Sequence, residues 1–471
     1  MTATASTIAA PHPERRPRRL AARSERGAAL LVAIVAVAVL TALAVDLAYQ
    51  TQVRLRIAAA GRDELRAQAL AQSGVTMARL VLGFQAQLDA ASATAAKVGE
   101  TIAGATGGQQ PGAAPAMPRI QLWNLVPVGA MLSDALFPPE EGAGAGPAGP
   151  AATDKPPEGG APTVATAPLA DFQGGFEAKI EDEGQKINVQ LDARDVAGPL
   201  GAQVETLLRL TCDPRWDPLF DRLDAEGQRY TRTDLVNNLK DWVDQDNVTS
   251  SLAVSFPAGN CSPVLSSSKI FEAGFGDENF PYDRGEDRYK TKNSRMDSLE
   301  ELHLVAGVSD AFMAAFGDQL TAYLPLEAKI NVNSTDLESL RLSVQFLADP
   351  AAPQAWHDPA FLPNLQKLLL ARSNGGMTSI TPADLKETVE LAGQKTRNID
   401  VSAQNSPFTG KSTVFKVRAI GRANDVTHTI EAVVSFEPRQ NQPTDASGQP
   451  VQQVQQQGQL PTGRLIRWRE E

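Results

Sequence analysis

The sequence predicts an α+β fold: one long N-terminal helix that belongs with a small antiparallel sheet, and a large, mainly helical body inserted between two β-hairpins. Three observations predict it. Helical periodicity without proline runs from Ala28 to Leu88. Period-two alternation occurs at residues 176–190 and again at 412–436, each time around a turn segment. Between these two stretches the apolar residues recur mostly at helical spacing.

The N-terminal helix has two halves. Arg15, Arg16, Arg18, Arg19, Arg23 and Arg26 lead to Gly27, and then AALLVAIVAVAVLTALAV gives eighteen uncharged residues, Ala28–Val45. At 1.5 Å per residue these span roughly 27 Å, close to the hydrocarbon thickness of a bilayer. Arginines before the run and Asp46 after it predict a cytoplasmic N-terminus and export of everything downstream. A cleaved secretory signal fits less well, because its apolar core is shorter and here helix-forming sequence continues through Asp46. Beyond Asp46, Val53, Ile57, Leu65, Leu70, Met77, Leu80, Val81 and Leu88 predict an amphipathic continuation to about residue 92.

Residues 93–168 read as a low-complexity linker of Ala, Gly, Thr, Gln and Pro. Only 119–137 are apolar enough to dock on the body. Within 169–191, Phe176, Ala178 and Ile180 alternate, Asp182-Glu183-Gly184-Gln185 turns, and Ile187 and Val189 return, which predicts a hairpin. The inserted body covers 192–408. Its helices are expected at 192–210, 233–243, 334–347, 364–373 and 382–392, with two short ones around Gly307, a short strand at 327–332 and a long irregular segment at 244–294. A second hairpin occupies 409–437, turning at Gly421–Asp425, and the Gln/Pro-rich remainder, 438–471, reads as an unfolded tail.

The totals exclude several classes. A net charge of −11 argues against general affinity for nucleic acid. Four His and two Cys, without HExxH or CxxC spacing, leave little for a zinc site. There is no nucleophile elbow, P-loop or dinucleotide fingerprint, so no enzyme is expected. Cys212 and Cys261 both fall in the exported part, where a disulfide persists; the alternative is two buried thiols.

Five segments occur in a telling order: the arginine-flanked Gly27 before its aliphatic helix, FEAKIEDEGQKINV, DLVNNLKDWVDQDN, SLEELHLVAGVSDAFMAAF and AKINVNSTDLESL. Together they resemble the minor pseudopilins of the type II secretion system called general secretion pathway protein K. The likeness runs from about Gly27 to Phe436 and breaks at the long leader, at 90–168 and in the tail. It implies a pilin-like fold with a helix-hairpin-helix or SAM-like insertion. It also implies a leader, 1–27, cut by prepilin peptidase between Gly27 and Ala28, and a methylated new N-terminus. Taken alone, that pair also suits a plain signal anchor. Pilin-like subunits generally carry Glu at the fifth mature position; here it is Val32, as in minor subunits of this type. A chain without that acid has nothing to offer the charged terminus of a subunit above it, and the bulky insertion blocks stacking, so the resemblance implies a place at the tip.

The resemblance also implies calcium. Asp241, Asp244 and Asp246 crowd the end of a Trp-containing helix, and Glu278, Asp283, Glu286 and Asp287 follow in the irregular segment. Oxygen ligands along loose backbone suit calcium, and Asp244, Asp246, Glu286 and Asp287 are the ligands expected; the plain alternative is a solvated acidic loop. The LHLVAGV segment, 302–308, looks like a helix-hairpin-helix, yet Met296–Leu326 contains no Lys or Arg, so a structural core is expected there and no DNA contact. Asn188, Asn331 and Asn333 are expected to bond local backbone.

The expected function is therefore that of a non-enzymatic tip subunit in the export of folded periplasmic proteins. It would be a single-pass inner-membrane protein with periplasmic domains. Its partners would be other minor pseudopilins, the peptidase and membrane lipid. A membrane-anchored DNA-binding protein and a minor type IV pilin are the alternatives.

Overall fold

The computed structural model describes residues 25–105, 120–125, 174–191, 199–224, 227–256, 263–265, 269–284, 288–326, 328–333, 337–401, 406–437 and 461–471. Residues 1–65 and 66–471 form two compact units.

In the first unit lies the start of a single helix, Glu25–Ala105. Its large aliphatic side chains from Leu30 through Leu47 are all exposed. A contiguous exposed apolar surface of this kind demands an apolar neighbour. The helix is long and apolar enough to cross a membrane. It also runs past the expected boundary at 92, as far as Ala105.

In the second unit the same helix buries Leu70, Ala71, Val75, Ala78 and Leu82 against Phe176, Ala178, Phe415, Val417, Ala419, Ile430 and Ala432 of a sheet. The bulky Leu65, Leu80 and Leu88 are exposed, so the buried stripe differs from the expected one. The small residues decide the face, because they let the backbones approach. A Cβ on Gly74 would meet Ala419 Cβ at 3.1 Å, and one on Gly421 would meet Ala67 O at 2.0 Å and Ala71 N at 2.5 Å.

The sheet has four strands, all antiparallel, in the order β1 (Gly175–Asp182), β10 (Val414–Ala423), β11 (Val426–Ser435), β12 (Arg464–Glu470). The β10–β11 pair is the expected second hairpin, turned by Asn424 at φ +52°. The first expected hairpin does not form. β1 pairs with β10 from Gly175↔Arg422 to Asp182↔Phe415. The chain then makes one 3₁₀ turn, Glu183–Gln185, and β2 (Ile187–Asn188) leaves to pair in parallel with β7 (Leu320–Thr321). The reason lies in the two apolar faces. Phe176 and Ala178 belong to the sheet core, whereas Ile187, Val189 and Leu191 belong to the core of the inserted body.

The C-terminus also departs from expectation. Residues 464–470 form an edge strand whose residues are all exposed except the partly buried Arg467. Arg467 donates to both carboxylate oxygens of Glu300, at 2.5 and 2.7 Å, and to the Tyr323 hydroxyl. Residues 438–460 lie outside the described ones.

The inserted body has two apolar cores. One collects Val204, Leu207 and Leu208 with Leu235, Leu239, Trp242, Leu302, Phe312, Phe316 and Leu320; the other collects Leu340, Val344 and Leu347 with Leu365, Leu385 and Phe408. Among the described residues its α-helices are Pro199–Thr211, the short Asp217–Phe220, Arg232–Val243, Asp310–Phe316, Leu337–Leu347, Phe361–Arg372 and Pro382–Leu391. The expected short strand is β8 (Ile330–Asn331), which pairs in parallel with β9 (Phe408–Thr409). Around Gly307, at φ +91°, the first element is a 3₁₀ helix, Leu299–Leu304, and the second an α-helix, Asp310–Phe316.

Among the described residues, the segment expected to be irregular holds four strands: β3 (Val248–Leu252), β4 (Val254–Ser255), β5 (Val264–Leu265) and β6 (Phe271–Asp277). β3 and β6 form an antiparallel ribbon, as do β4 and β5. VTSSL lacks apolar alternation, and in FEAGFGD the alternation of Phe271, Ala273 and Phe275 is interleaved with Gly274 and Gly276, so no strand is expected from them. A Cβ on Gly274 would meet Thr249 Oγ1 at 2.4 Å, so the strand needs glycine where sequence reading sees a breaker.

The helix–sheet contact yields a prediction. Gly421→Ala forces a methyl into the backbone of Ala67 and Ala71 and should cost at least ~2 kcal/mol. Denaturant unfolding of the detergent-solubilised chain checks it; an unchanged midpoint would show that the helix is not seated this closely.

Candidate metal centre

The centre is built at the end of one helix. Thr231 and Asp234 form a capping box that starts helix Arg232–Val243. Its Leu235, Val236, Leu239, Trp242 and Val243 are buried, which fixes the rotation of its last turn. That turn carries Asp241, and Asp244 caps it, donating its backbone N–H to Lys240 O at 3.1 Å. The β3–β6 ribbon then leaves and returns, bringing Glu278 back beside them. Ser250 N donates to Asp241 Oδ1 at 2.8 Å, which ties the ribbon to the helix end.

Asp241, Asp244 and Glu278 are 3%, 5% and 1% exposed. Each offers an oxygen within 4.8 Å of the others, close enough to share one metal ion. Three carboxylates buried together are costly unless compensated. A compensating charge is present: Lys240 Nζ bonds Asp244 Oδ2. Glu278 Oε2 is buried and accepts no hydrogen bond among the described residues. Burial, with the charge of Asp244 next, pushes the Glu278 carboxyl up to about 7. Burial likewise pushes Asp241 up to about 6. An all-oxygen donor set suits a hard cation such as calcium or magnesium.

Next to Asp241 in sequence, Trp242 packs in an aromatic cluster. The Trp242 ring meets Tyr282 edge-on at 5.4 Å and Tyr289 at 6.3 Å. Tyr289 Oη donates to Leu304 O at 2.9 Å, and Tyr282 Oη accepts from Ala306 N at 3.3 Å.

Of the four expected ligands, Asp244 is in the centre. Asp246 is exposed and outside it; its Oδ1 accepts from Val248 N at 2.8 Å, so it serves the turn into β3. Its charge still acts on Glu278. Glu286 and Asp287 lie outside the described residues. Asp241 and Glu278 are not among the expected ligands. The signal for Asp241 is its i,i+3 spacing from Asp244. Glu278 has none, since its approach depends on the ribbon. Asp283 is exposed and pairs with Arg288 at 3.6 Å.

Cys212 is disulfide-bonded, and Cys261 lies outside the described residues. Gly27 and Ala28 fall in the first turn of the N-terminal helix. Asn188 Nδ2 donates to Pro325 O at 2.8 Å, and Asn331 Nδ2 to Ser412 Oγ at 2.6 Å and to Asp182 Oδ2 at 2.5 Å, so these amides join distant segments as well as local backbone.

No protein-family model matches the chain. No curated protein matches it either. Among solved structures it is similar to the GspK-GspI-GspJ complex from the type 2 secretion system of enterotoxigenic Escherichia coli. The identity is 13% and the TM-score 0.34, over 64% of this chain and 80% of that one.

The raised carboxyls set a pH dependence. Between about pH 4.5 and 7 the folded, metal-free chain holds protons that an unfolded one releases, so its stability falls as pH rises through that window. The chelated protein should therefore melt higher at about pH 5.5 than at about pH 7.5 by scanning calorimetry. A melting temperature that climbs with pH in chelator would contradict the centre's electrostatics.

Proposed function

We propose that this chain is a minor pseudopilin of the type II secretion system, placed at the tip of the pseudopilus and used in exporting folded periplasmic proteins. One observation carries the reading. A single helix begins as an exposed apolar rod and packs from Leu70 to Leu82 on a small antiparallel sheet, with a two-core body inserted between β1 and β10. A rod of that kind inserts in a bilayer, with the arginines before Ala28 holding its start in the cytoplasm. The small and aliphatic surface of the helix suits packing against similar helices of other minor pseudopilins. Val32 leaves no acid in the apolar run to compensate a neighbour's charged terminus, which supports a terminal place in the fibre. The role needs no catalysis.

A DNA-binding role is not favoured by any observation. The Leu299–Phe316 elements carry Glu300, Glu301 and Asp310 and no Lys or Arg.

The reading includes processing between Gly27 and Ala28. N-terminal sequencing of the protein made with and without prepilin peptidase should give mature Ala28 only when the peptidase is present. An intact leader in both cases would remove the assignment. Deletion that abolishes twitching and spares secretion would move the chain to a type IV pilus.

Calcium is the cation we assign to the Asp241–Asp244–Glu278 centre. Bound there, it would neutralise carboxylates that otherwise repel one another and fasten the ribbon to the helix end. Terbium bound in its place should luminesce on excitation of Trp242, which follows Asp241 directly and precedes Asp244 by two residues. Glu278→Gln should lower that signal at least ~10-fold at subsaturating metal. Equal signals from both proteins would place the ion elsewhere.

A further inference from the structure

Lys240 offers an inference that rests on the calcium reading and extends it. The residue sits one helical turn before Asp244, with its Nζ on Asp244 Oδ2. Its side chain is 14% exposed and that of Asp244 6%, so the pair is largely withdrawn from water. One ammonium cannot serve three buried carboxylates, and Glu278 Oε2 is an oxygen left without a hydrogen bond among the described residues. The centre is thus only partly compensated by a cation that belongs to the chain.

We propose that Lys240 is a built-in counter-ion, holding Asp244 while the centre lacks metal and leaving it when a divalent cation enters. The ammonium and the ion compete for the same carboxylate. Both cannot sit within bonding distance of Asp244 without strong repulsion across a weakly screened interior. The lysine stem is flexible and lies at the last turn of its helix, so the ammonium can swing towards water while its backbone stays in place. The affinity of the centre is then the intrinsic affinity reduced by the fraction of time that Asp244 is free to bind. Lys240 keeps the site ordered without metal and keeps its affinity moderate.

The test measures calcium affinity by titration calorimetry, and terbium luminescence in parallel, on the detergent-solubilised full chain. Lys240→Met should bind calcium about tenfold tighter. In chelator it should melt below the wild type, and in saturating calcium the two should converge. Lys240→Arg, which holds a carboxylate by two donors, should bind more weakly than the wild type and guards against a Met variant that fails to fold. Unchanged or weaker binding in Lys240→Met would overturn the proposal, because the lysine would then remain beside the ion. Wild-type binding that Glu278→Gln abolishes, with Lys240→Met unaltered, defeats the role of Lys240 alone. Absence of binding in every protein defeats the centre and the proposal together.

Discussion

The close approach of the N-terminal helix to β10 is the constraint on which the rest depends. Gly421 leaves no room for a side chain, Gly74 leaves only a tight fit against Ala419 and Phe176, and Ala67, Ala71 and Ala78 line the same face. Backbones this near let Leu70, Val75 and Leu82 reach across to Phe176, Phe415 and Ile430. Every other strand of that sheet takes its place from β10, directly or through β11. The inserted body hangs from one end of the β1–β10 pairing, where Asp182 faces Phe415, because it leaves after β1 and returns before β10.

Asp182 marks the departure point. Its carboxylate is buried and accepts from Gly184 N at 2.8 Å, Ser412 Oγ at 2.6 Å and Asn331 Nδ2 at 2.5 Å. The three donors come from the end of β1, the approach to β10 and the inserted body. A charged acceptor with several donors is a strong and directional tie. Burial nevertheless raises its pKa, which shows how much solvation it gives up. On the far side, Arg467 of β12 reaches Glu300 and holds that carboxyl at about 2, so the sheet and the inserted body are tied at two separated points.

Much of this was legible in the residues. Apolar runs and helical spacing marked the long helix, and alternation marked β10 and β11. The hairpin at 176–190 misled because alternation reports which side chains are buried, without reporting which core receives them. Ile187 and Phe176 satisfy the same pattern while facing different cores. β12 was hidden by the Gln/Pro-rich stretch before it, and β3 and β6 by their Ser, Thr and Gly content. The acidic centre was half legible: helical spacing joins Asp241 to Asp244, but only the pairing of β3 with β6 brings Glu278 to them.

The pairing of β1 with β10 joins residues near 175 to residues near 422. On a ribosome, the first strand emerges long before its partner exists. The aliphatic stripe of the helix must therefore wait, uncovered, until almost the whole polypeptide has been synthesised. Such late loop closure slows folding and prolongs the interval in which the stripe can stick to other chains. Holdase protection during synthesis, and an inserted body able to fold first on its own cores, would both shorten that vulnerable interval.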